Sequence, residues 1–201
     1  MSHDTWVHRG VRRLVRPLVD TPITPNHITT LRLAGGIAAA AAVASGTDEG
    51  FQLGALLFVV SFVLDRADGE LARLSGKTSA WGHMFDLWSD AACNALIFIG
   101  LGIGLANGGL GAWATPMGFL SGGAIAVILW AVVRVEAQDG ARGAELGSIG
   151  GFDPDDAVLF VPLALALGWA EPLLQVAAVA APVFAVLFLW IFRTQLRLRA
   201  V

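Results

Sequence analysis

The chain has 201 residues, of which 56% are hydrophobic and only 14% are charged, and its mean hydropathy is +0.68. Soluble domains are about 45–50% apolar and about 25% charged, so this composition excludes an ordinary soluble domain and indicates a polytopic membrane protein. Because a spanning helix takes about 20 residues, the length allows roughly six spans in one membrane domain.

The first 24 residues predict a basic amphipathic helix in the lipid headgroup layer, ahead of a membrane domain over residues 25–201. Apolar residues recur at helical spacing and arginines interleave with them, as in helices that lie in a membrane surface. The apolar positions are Trp6, Val7, Val11, Leu14, Val15 and Leu18, and the basic ones are Arg9, Arg12, Arg13 and Arg16. An unstructured basic leader is the alternative. Pro22 and Pro25 end the segment before the first span.

Six spans are predicted, and the distribution of positive charge orients them. The spans cover residues 28–46, 51–74, 80–106, 113–137, 155–170 and 172–196, and the fifth is the shortest. Positive residues in short loops stay in the cytoplasm. With both termini cytoplasmic, all lysines and arginines fall on that side. They are Arg9, Arg12, Arg13, Arg16, Arg32, Arg66, Arg73, Lys77, Arg134, Arg142, Arg193, Arg197 and Arg199.

Four aspartates lie at the adjoining ends of the second and third spans, namely Asp65, Asp68, Asp86 and Asp90. An ionised carboxylate at membrane depth is costly unless it is paired or coordinated, so this cluster predicts a functional site. Asp65 and Asp68 share one helical stripe, while Asp86 and Asp90 share a stripe on the next helix. The short loop between the spans predicts an antiparallel hairpin in which the two stripes face each other.

An all-oxygen donor set fits a hard divalent cation such as Mg²⁺ or Mn²⁺, and it does not fit zinc. Two such ions would clamp a diphosphate and neutralise its leaving group. The alternative is a set of solvated aspartates at helix ends, paired with Arg66, Arg73 and Lys77. The sequence predicts that the cluster opens to the cytoplasm.

Residues 65–90 match the pattern D-x2-D-G-x2-A-R-x8-G-x3-D-x3-D at every fixed position. This segment resembles the signature of the class I CDP-alcohol phosphotransferase family. Residues 25–32 are similar to the Pro-Asn-x-Ile-Thr-x-x-Arg stretch that precedes the first span in that family. The resemblance implies a homodimeric, all-α protein with six spans and an N-terminal interfacial helix, located in the bacterial inner membrane with its active site cytoplasmic.

The implied reaction moves a phosphatidyl group from a CDP-linked lipid, usually CDP-diacylglycerol, to an alcohol and releases CMP in phospholipid biosynthesis. The resemblance assigns Asp65, Asp68 and Asp86 as metal ligands, and Asp90 as the general base that also helps to hold a metal. It implies a CDP pocket formed by Gly69, Ala72, Arg73 and Gly82, with Asn26 and Thr29 beside them. The expected partners are the lipid donor, the alcohol, Mg²⁺ or Mn²⁺ as two ions, and no nucleic acid.

The acceptor is left open by the sequence. A phosphorylated alcohol needs cationic side chains, for which Arg134, Arg142 and Arg193 are the candidates, unless they only anchor helix ends at the interface. The acidic loop over residues 147–156 favours an unphosphorylated acceptor, although Asp153 followed by Pro154 is equally a good helix start.

Two other functions are compatible with intramembrane aspartates. A membrane prenyltransferase also binds a diphosphate through aspartate-rich helices, but it would carry its two motifs far apart on a longer chain. A divalent-cation transporter, or a non-enzymatic scaffold, would carry polar residues deep in several spans, whereas the first, fourth and sixth predicted spans have apolar interiors.

Overall fold

The computed structural model describes residues 6–139 and 158–197, with side chains over residues 11–135 and 158–196. Every regular element in this part of the chain is helical. The α-helices are α1 Trp6–Val15, α2 Pro25–Ala44, α3 Asp48–Ser75, α4 Ala80–Gly104, α5 Ala114–Asp139, α6 Phe160–Ala166, α7 Ala170–Ile191 and α8 Arg193–Arg197. Short 3-10 turns follow α1 and connect α4 to α5.

Local sequence explains where the site-bearing helices begin and end. Helix α2 starts at Pro25, whose missing N–H costs nothing in the first turn, and the Thr24 amide donates to His27 Nδ1 at 3.2 Å. Helix α3 ends at Gly76, which adopts a left-handed φ of 67°. Helix α4 then begins behind Ser79, whose hydroxyl accepts from the Gly82 amide at 2.9 Å. The second and third predicted spans are therefore separate helices joined by a four-residue loop, and both pack against α2.

Five helices are long and apolar enough to cross a membrane: α2, α3, α4, α5 and α7, with α4 extended through the 3-10 turn. The fifth predicted span lies partly outside the described residues. Its described part, residues 158–170, contains the seven-residue helix α6. The last predicted span, residues 172–196, is interrupted in the structure, because α7 ends at Ile191 and α8 follows. Phe192 at the break and Leu196 of α8 both pack against the buried cluster that includes Ala131 and Val135 of α5.

The core forms where α2, α3 and α4 meet, and small residues set how closely they approach. A Cβ on Gly36 of α2 would lie 2.2 Å from Cys93 Sγ of α4, and one on Gly100 would lie 2.5 Å from the Ala40 carbonyl oxygen. Such contacts exclude any larger side chain unless the helices separate. This close packing brings residues of α2 next to the aspartates of α3 and α4.

Helix α1 covers the cytoplasmic end predicted for α3. Val11 and Val15 are buried together with Ile28, Ala67 and Leu71, whereas Arg12 and Arg13 are exposed. A helix therefore occupies the position where the sequence predicts one, and its apolar side is in contact with the membrane domain. Helix α1 therefore packs on α3, the helix that carries Asp65 and Asp68.

Candidate metal and nucleotide site

Three of the four aspartates converge between α3 and α4. Carboxylate oxygens of Asp65, Asp68 and Asp86 lie within 4.8 Å of one another. Asp68 is the most enclosed, with 3% of the residue exposed. The two predicted stripes therefore face each other, and their oxygen-only donor set matches the preference of Mg²⁺ and Mn²⁺.

Arg32 of α2 lies at the centre of the cluster. Its Nη1 is 2.8 Å from Asp65 Oδ1 and 2.8 Å from Asp86 Oδ1, and its Nη2 is 2.5 Å from Asp90 Oδ1. The Arg32 side chain is only 3% exposed. From the sequence, Arg32 is predicted only as a positive charge on the cytoplasmic side and as the last residue of the 25–32 stretch, with no contact to the aspartates. An arginine inside an otherwise apolar span was itself the signal of a functional residue.

Two further side chains orient the carboxylates. The Thr29 hydroxyl donates to Asp68 Oδ2 at 2.7 Å, and both residues are buried. The Asn94 amide donates to Asp90 Oδ1 at 2.9 Å from one turn further along α4. Thr29 was predicted to line the CDP pocket, and its contact with a candidate metal ligand is an additional role. Asn94 was missed, although its i, i+4 spacing from Asp90 placed it on the same helical face.

The charge balance of the cluster tests whether a divalent cation fits. Besides Arg32, Arg66 approaches Asp65 Oδ2 with Nη1 at 3.9 Å. Among the described ion pairs, the four carboxylates thus outnumber the two guanidinium groups, and the difference is negative charge concentrated between α3 and α4. Such charge is strongly unfavourable unless it is compensated. The donor set and the excess negative charge both fit a divalent cation.

A cavity of about 250 Å³ opens beside the cluster between α2, α3 and α4. Two candidate metal ligands, Asp68 and Asp86, line it. Lys77, Ser79 and His83 line it as well and were not predicted. It also brings together all the residues predicted for the CDP pocket, which are Asn26, Thr29, Gly69, Ala72, Arg73 and Gly82.

The glycines of this cavity leave room for polar side chains. A Cβ on Gly82 would lie 3.0 Å from Asn26 Oδ1, and a Cβ on Gly69 would lie 3.6 Å from both terminal nitrogens of Arg73. Lys77 Nζ donates to the Thr21 carbonyl at 2.8 Å and so ties the α3–α4 loop to the segment before α2. One guanidinium group and two candidate metal-ligand carboxylates therefore line the same cavity.

A second, smaller cavity lies at the same cluster and is lined by different aspartates. Asp65 and Asp90 border it together with Arg32, Asn94 and the aromatic ring of Phe62. It has a volume of only about 20 Å³, which is room for a group the size of a water molecule, so the cluster borders two cavities of very different size. One contains the predicted nucleotide residues, and the other contains the predicted base.

The two arginines predicted for the acceptor lie elsewhere. Arg134 and Arg193 are both exposed, and their guanidinium carbons lie 5.4 Å from the Trp130 ring centre and 5.3 Å from the Trp190 ring centre, respectively. Neither lines either of the two cavities at the cluster. Arg142 and the acidic loop over residues 147–156 lie outside the described residues.

Fold and site together define a helical membrane protein with an acidic, oxygen-rich centre beside a cavity suited to a phosphate-bearing ligand. A sequence model of the CDP-alcohol phosphatidyltransferase family matches residues 22–191. The chain therefore belongs to that family, as its aspartate motif predicts. Family membership favours neither the prenyltransferase nor the transporter.

Two curated bacterial proteins are similar to part of the chain. A bifunctional IPC transferase and DIPP synthase of Rubrobacter xylanophilus is 37% identical over 87 residues, which is 43% of this chain and 19% of that protein. A phosphatidylinositol phosphate synthase of Streptomyces avermitilis is 32% identical over 92 residues, which is 46% of this chain and 37% of that protein. The matched region thus covers well under half of either relative.

Solved structures share the fold over nearly the whole chain. Phosphatidylinositol phosphate synthase of Mycobacterium tuberculosis with CDP-DAG bound has a TM-score of 0.73 at 20% identity, with 94% of each chain covered. The same enzyme in complex with manganese and citrate has a TM-score of 0.71 at 19% identity, with 92% of this chain and 88% of that chain covered. At this level of identity the likeness establishes the fold.

Proposed function

We propose that this protein is a metal-dependent phosphatidyltransferase that moves a phosphatidyl group from CDP-diacylglycerol, or a closely related CDP-linked lipid, to an alcohol and releases CMP in phospholipid biosynthesis. The observation that carries the proposal is the convergence of the four motif aspartates at two cavities, one of which contains every predicted nucleotide residue. The fold shared with an enzyme solved with CDP-DAG, and separately with manganese, supports the same donor and a divalent ion.

In the proposed site, Asp65, Asp68 and Asp86 hold a divalent cation, and Asp90 contributes to a second one. Either Mg²⁺ or Mn²⁺ fits these oxygen ligands. When bound, the ions supply charge neutralisation at the diphosphate. Thr29 fixes the orientation of the Asp68 carboxylate through its 2.7 Å hydrogen bond.

The remaining residues position the two substrates. Gly69, Ala72, Gly82 and Asn26 shape the space for the nucleotide, and Arg73 binds phosphate oxygens. The acceptor oxygen forms a bond to the lipid-bearing phosphorus while the bond from that phosphorus to CMP breaks. Most of the rate enhancement therefore comes from positioning and electrostatics.

Asp90 is the proposed general base, because it borders the second cavity and not the one with the nucleotide residues. A proton must leave the alcohol as the new phosphorus–oxygen bond forms, and a carboxylate within hydrogen-bond reach can accept it. Asn94 orients Asp90 Oδ1 at 2.9 Å. Arg32 also contacts Asp90, so the effect of this base depends on its geometry.

The proposed topology has six spans, with α6 and the residues before it supplying the fifth, and residues 1–24 lie in the headgroup layer ahead of the domain over residues 25–201. The exposed arginines of α1 and the 72% exposed Leu14 suit a helix in contact with both headgroups and lipid. Both termini and the site are proposed to face the cytoplasm of a bacterial inner membrane, and the enzyme is proposed to be a homodimer.

For the acceptor, the second cavity is the proposed site of the reacting hydroxyl. Arg134 and Arg193 are the proposed contacts of a phosphate group if the alcohol carries one. One relative is a phosphatidylinositol phosphate synthase, so inositol phosphate is the first acceptor to examine. Unphosphorylated inositol, glycerol phosphate, serine and ethanolamine complete the panel.

The test is CMP release by the purified protein in detergent or lipid nanodiscs with CDP-diacylglycerol, Mn²⁺ or Mg²⁺, and each acceptor in turn. At least one acceptor should give metal-dependent CMP release and a new phospholipid. Release that disappears with EDTA and returns with excess metal would identify the divalent requirement. Absence of CMP with every acceptor, together with no thermal shift on adding CDP and metal, would refute the proposal.

A further inference from the structure

Glu70 is a fully buried carboxylate that the metal cluster does not use. It follows Gly69 on α3, at a position the family motif leaves variable, and it is 0% exposed. A lone carboxylate buried to this degree is strongly unfavourable unless cations or hydrogen-bond donors compensate it. Its partners therefore indicate why the chain retains a charge there.

The two oxygens of Glu70 contact two arginines from different helices. Oε2 accepts from Nε of Arg12 on α1 at 3.4 Å, and Oε1 lies 3.2 Å from Nη2 of Arg73 on α3. The Arg12 and Arg73 side chains are 48% and 47% exposed, whereas that of Glu70 is 1% exposed. The buried carboxylate of Glu70 is thus held in place by its surroundings. It restricts the positions of the two longer, more exposed arginine side chains.

The fixed position of Arg73 matters because Arg73 lines the nucleotide cavity. Both of its terminal nitrogens lie 3.6 Å from the place where a Cβ of Gly69 would be, so the guanidinium group rests beside the bare backbone of that glycine. A free arginine side chain samples many rotamers, and ordering it on ligand binding costs entropy. A carboxylate that restrains the guanidinium in advance reduces this cost.

The other end of the link is α1. Val11 and Val15 pack with Ala67 and Leu71 of α3 on either side of Glu70 in the sequence. These apolar contacts keep water from Glu70, which strengthens its interactions with both arginines. Docking of α1 therefore brings the cation of Arg12 next to the buried charge of Glu70.

We propose that Glu70 is a positioning residue that holds Arg73 beside Gly69 for contact with the donor diphosphate, and that Arg12 makes this position depend on the docking of α1. The inference rests on the proposed function, since it assigns Arg73 to a CDP-linked substrate. It extends that function by giving α1 a part in donor binding.

The main test is the variant Glu70→Gln, which preserves the shape of the side chain and removes its charge. The KM for CDP-diacylglycerol should rise about tenfold, in line with the loss of hydrogen bonds to a charged group, while kcat changes little. Arg12→Gln should raise the KM in the same direction by about threefold. The matched control is Arg13→Gln, an exposed arginine on the same helix, which should leave the KM unchanged.

A double-mutant cycle separates positioning from general stability. If Glu70 acts through Arg73, adding Glu70→Gln to Arg73→Gln should raise the KM no further. Additive losses, an unchanged KM in Glu70→Gln, or tighter donor binding would overturn the inference. Tighter binding would mean that Glu70 only reduces the positive charge of Arg73. Because Arg12 is exposed, its variant tests the α1 link even if Glu70→Gln fails to fold.

The proposed function is tested separately, in the wild-type protein. It is refuted if the wild-type protein neither releases CMP nor binds CDP with metal. In that case the cycle between Arg12 and Glu70 is measured by thermal unfolding without nucleotide. Coupling between the two would support the α1 link alone, and its absence would overturn that link too.

Discussion

Substitution of Thr29 by valine tests whether orientation of Asp68 controls metal binding. Valine has nearly the same shape as threonine, so the change removes only the hydroxyl that donates to Asp68 Oδ2 at 2.7 Å. Both residues are buried, with 2% of Thr29 and 3% of Asp68 exposed, so water cannot readily replace the lost donor. A hydrogen bond to a charged group contributes about 1.5–3 kcal/mol, which corresponds to roughly 10-fold to 150-fold in affinity.

The expected result is a rise in the Mn²⁺ concentration needed for half-maximal CMP release by about 10-fold to 100-fold, as found for outer-shell partners of metal ligands. Excess Mn²⁺ should restore most of the activity. Thr30→Val is the matched control, because Thr30 is exposed and its hydroxyl contacts only the Asn26 carbonyl of its own helix among the described contacts, at 2.8 Å. An unchanged metal requirement in Thr29→Val, or an equal shift in Thr30→Val, would refute the reasoning.

Four other changes test the remaining parts of the site and fold. Asp86→Asn should abolish the thermal shift produced by CDP with Mn²⁺, because it removes a metal ligand, and a retained shift would contradict that role. Asp90→Asn should keep CDP binding but lower kcat by at least about 100-fold, and near-normal turnover would exclude Asp90 as the base. Asn94→Leu should lower kcat without changing CDP affinity, as measured by CMP release and CDP titration. Gly36→Val should reduce thermal stability sharply, because a Cβ there would lie 2.2 Å from Cys93 Sγ, and an unchanged melting temperature would show that α2 and α4 are less tightly packed.

The aspartate cluster could be predicted because helical geometry converts sequence spacing directly into position on a helix face. Asp65 and Asp68 are three residues apart, Asp86 and Asp90 are four apart, and a short loop forces the two helices to be antiparallel. Such local relations require no knowledge of the distant chain. Five of the spans could be predicted for the same reason, since hydropathy over a window of residues is also a local property.

The role of Arg32 could not be derived in the same way. It is separated from Asp86 by 54 residues and from Asp90 by 58, so its contacts depend on how α2 packs against α3 and α4. That packing is set by close backbone approaches at positions such as Gly36 and Gly100. A single sequence gives the presence of small residues in a span, but not which helix they approach.

The contacts of long side chains at helix ends were the hardest to predict from the sequence. Arg134 and Arg193 are predicted to contact the acceptor because they end spans on the cytoplasmic side, and this stays a prediction. In the structure, each guanidinium group lies over a tryptophan ring nearby in the sequence. A flexible arginine at an interface has several favourable partners of similar energy, including aromatic rings and headgroups. Charge and position along the sequence therefore do not determine which partner it contacts.

Arg32 also accounts for the way an apolar chain carries four carboxylates in one place. One guanidinium group in contact with Asp65, Asp86 and Asp90 offsets part of their mutual repulsion and sets their spacing, so the cluster is held together by the protein itself. Because one positive charge cannot balance four negative ones, the arrangement retains attraction for divalent cations. Replacing Arg32 with a neutral residue of similar length would thus increase the negative charge and remove the restraint on geometry at the same time. Since rate enhancement in the proposed reaction depends on positioning, the loss of restraint should dominate, and turnover should fall even where metal binding becomes tighter.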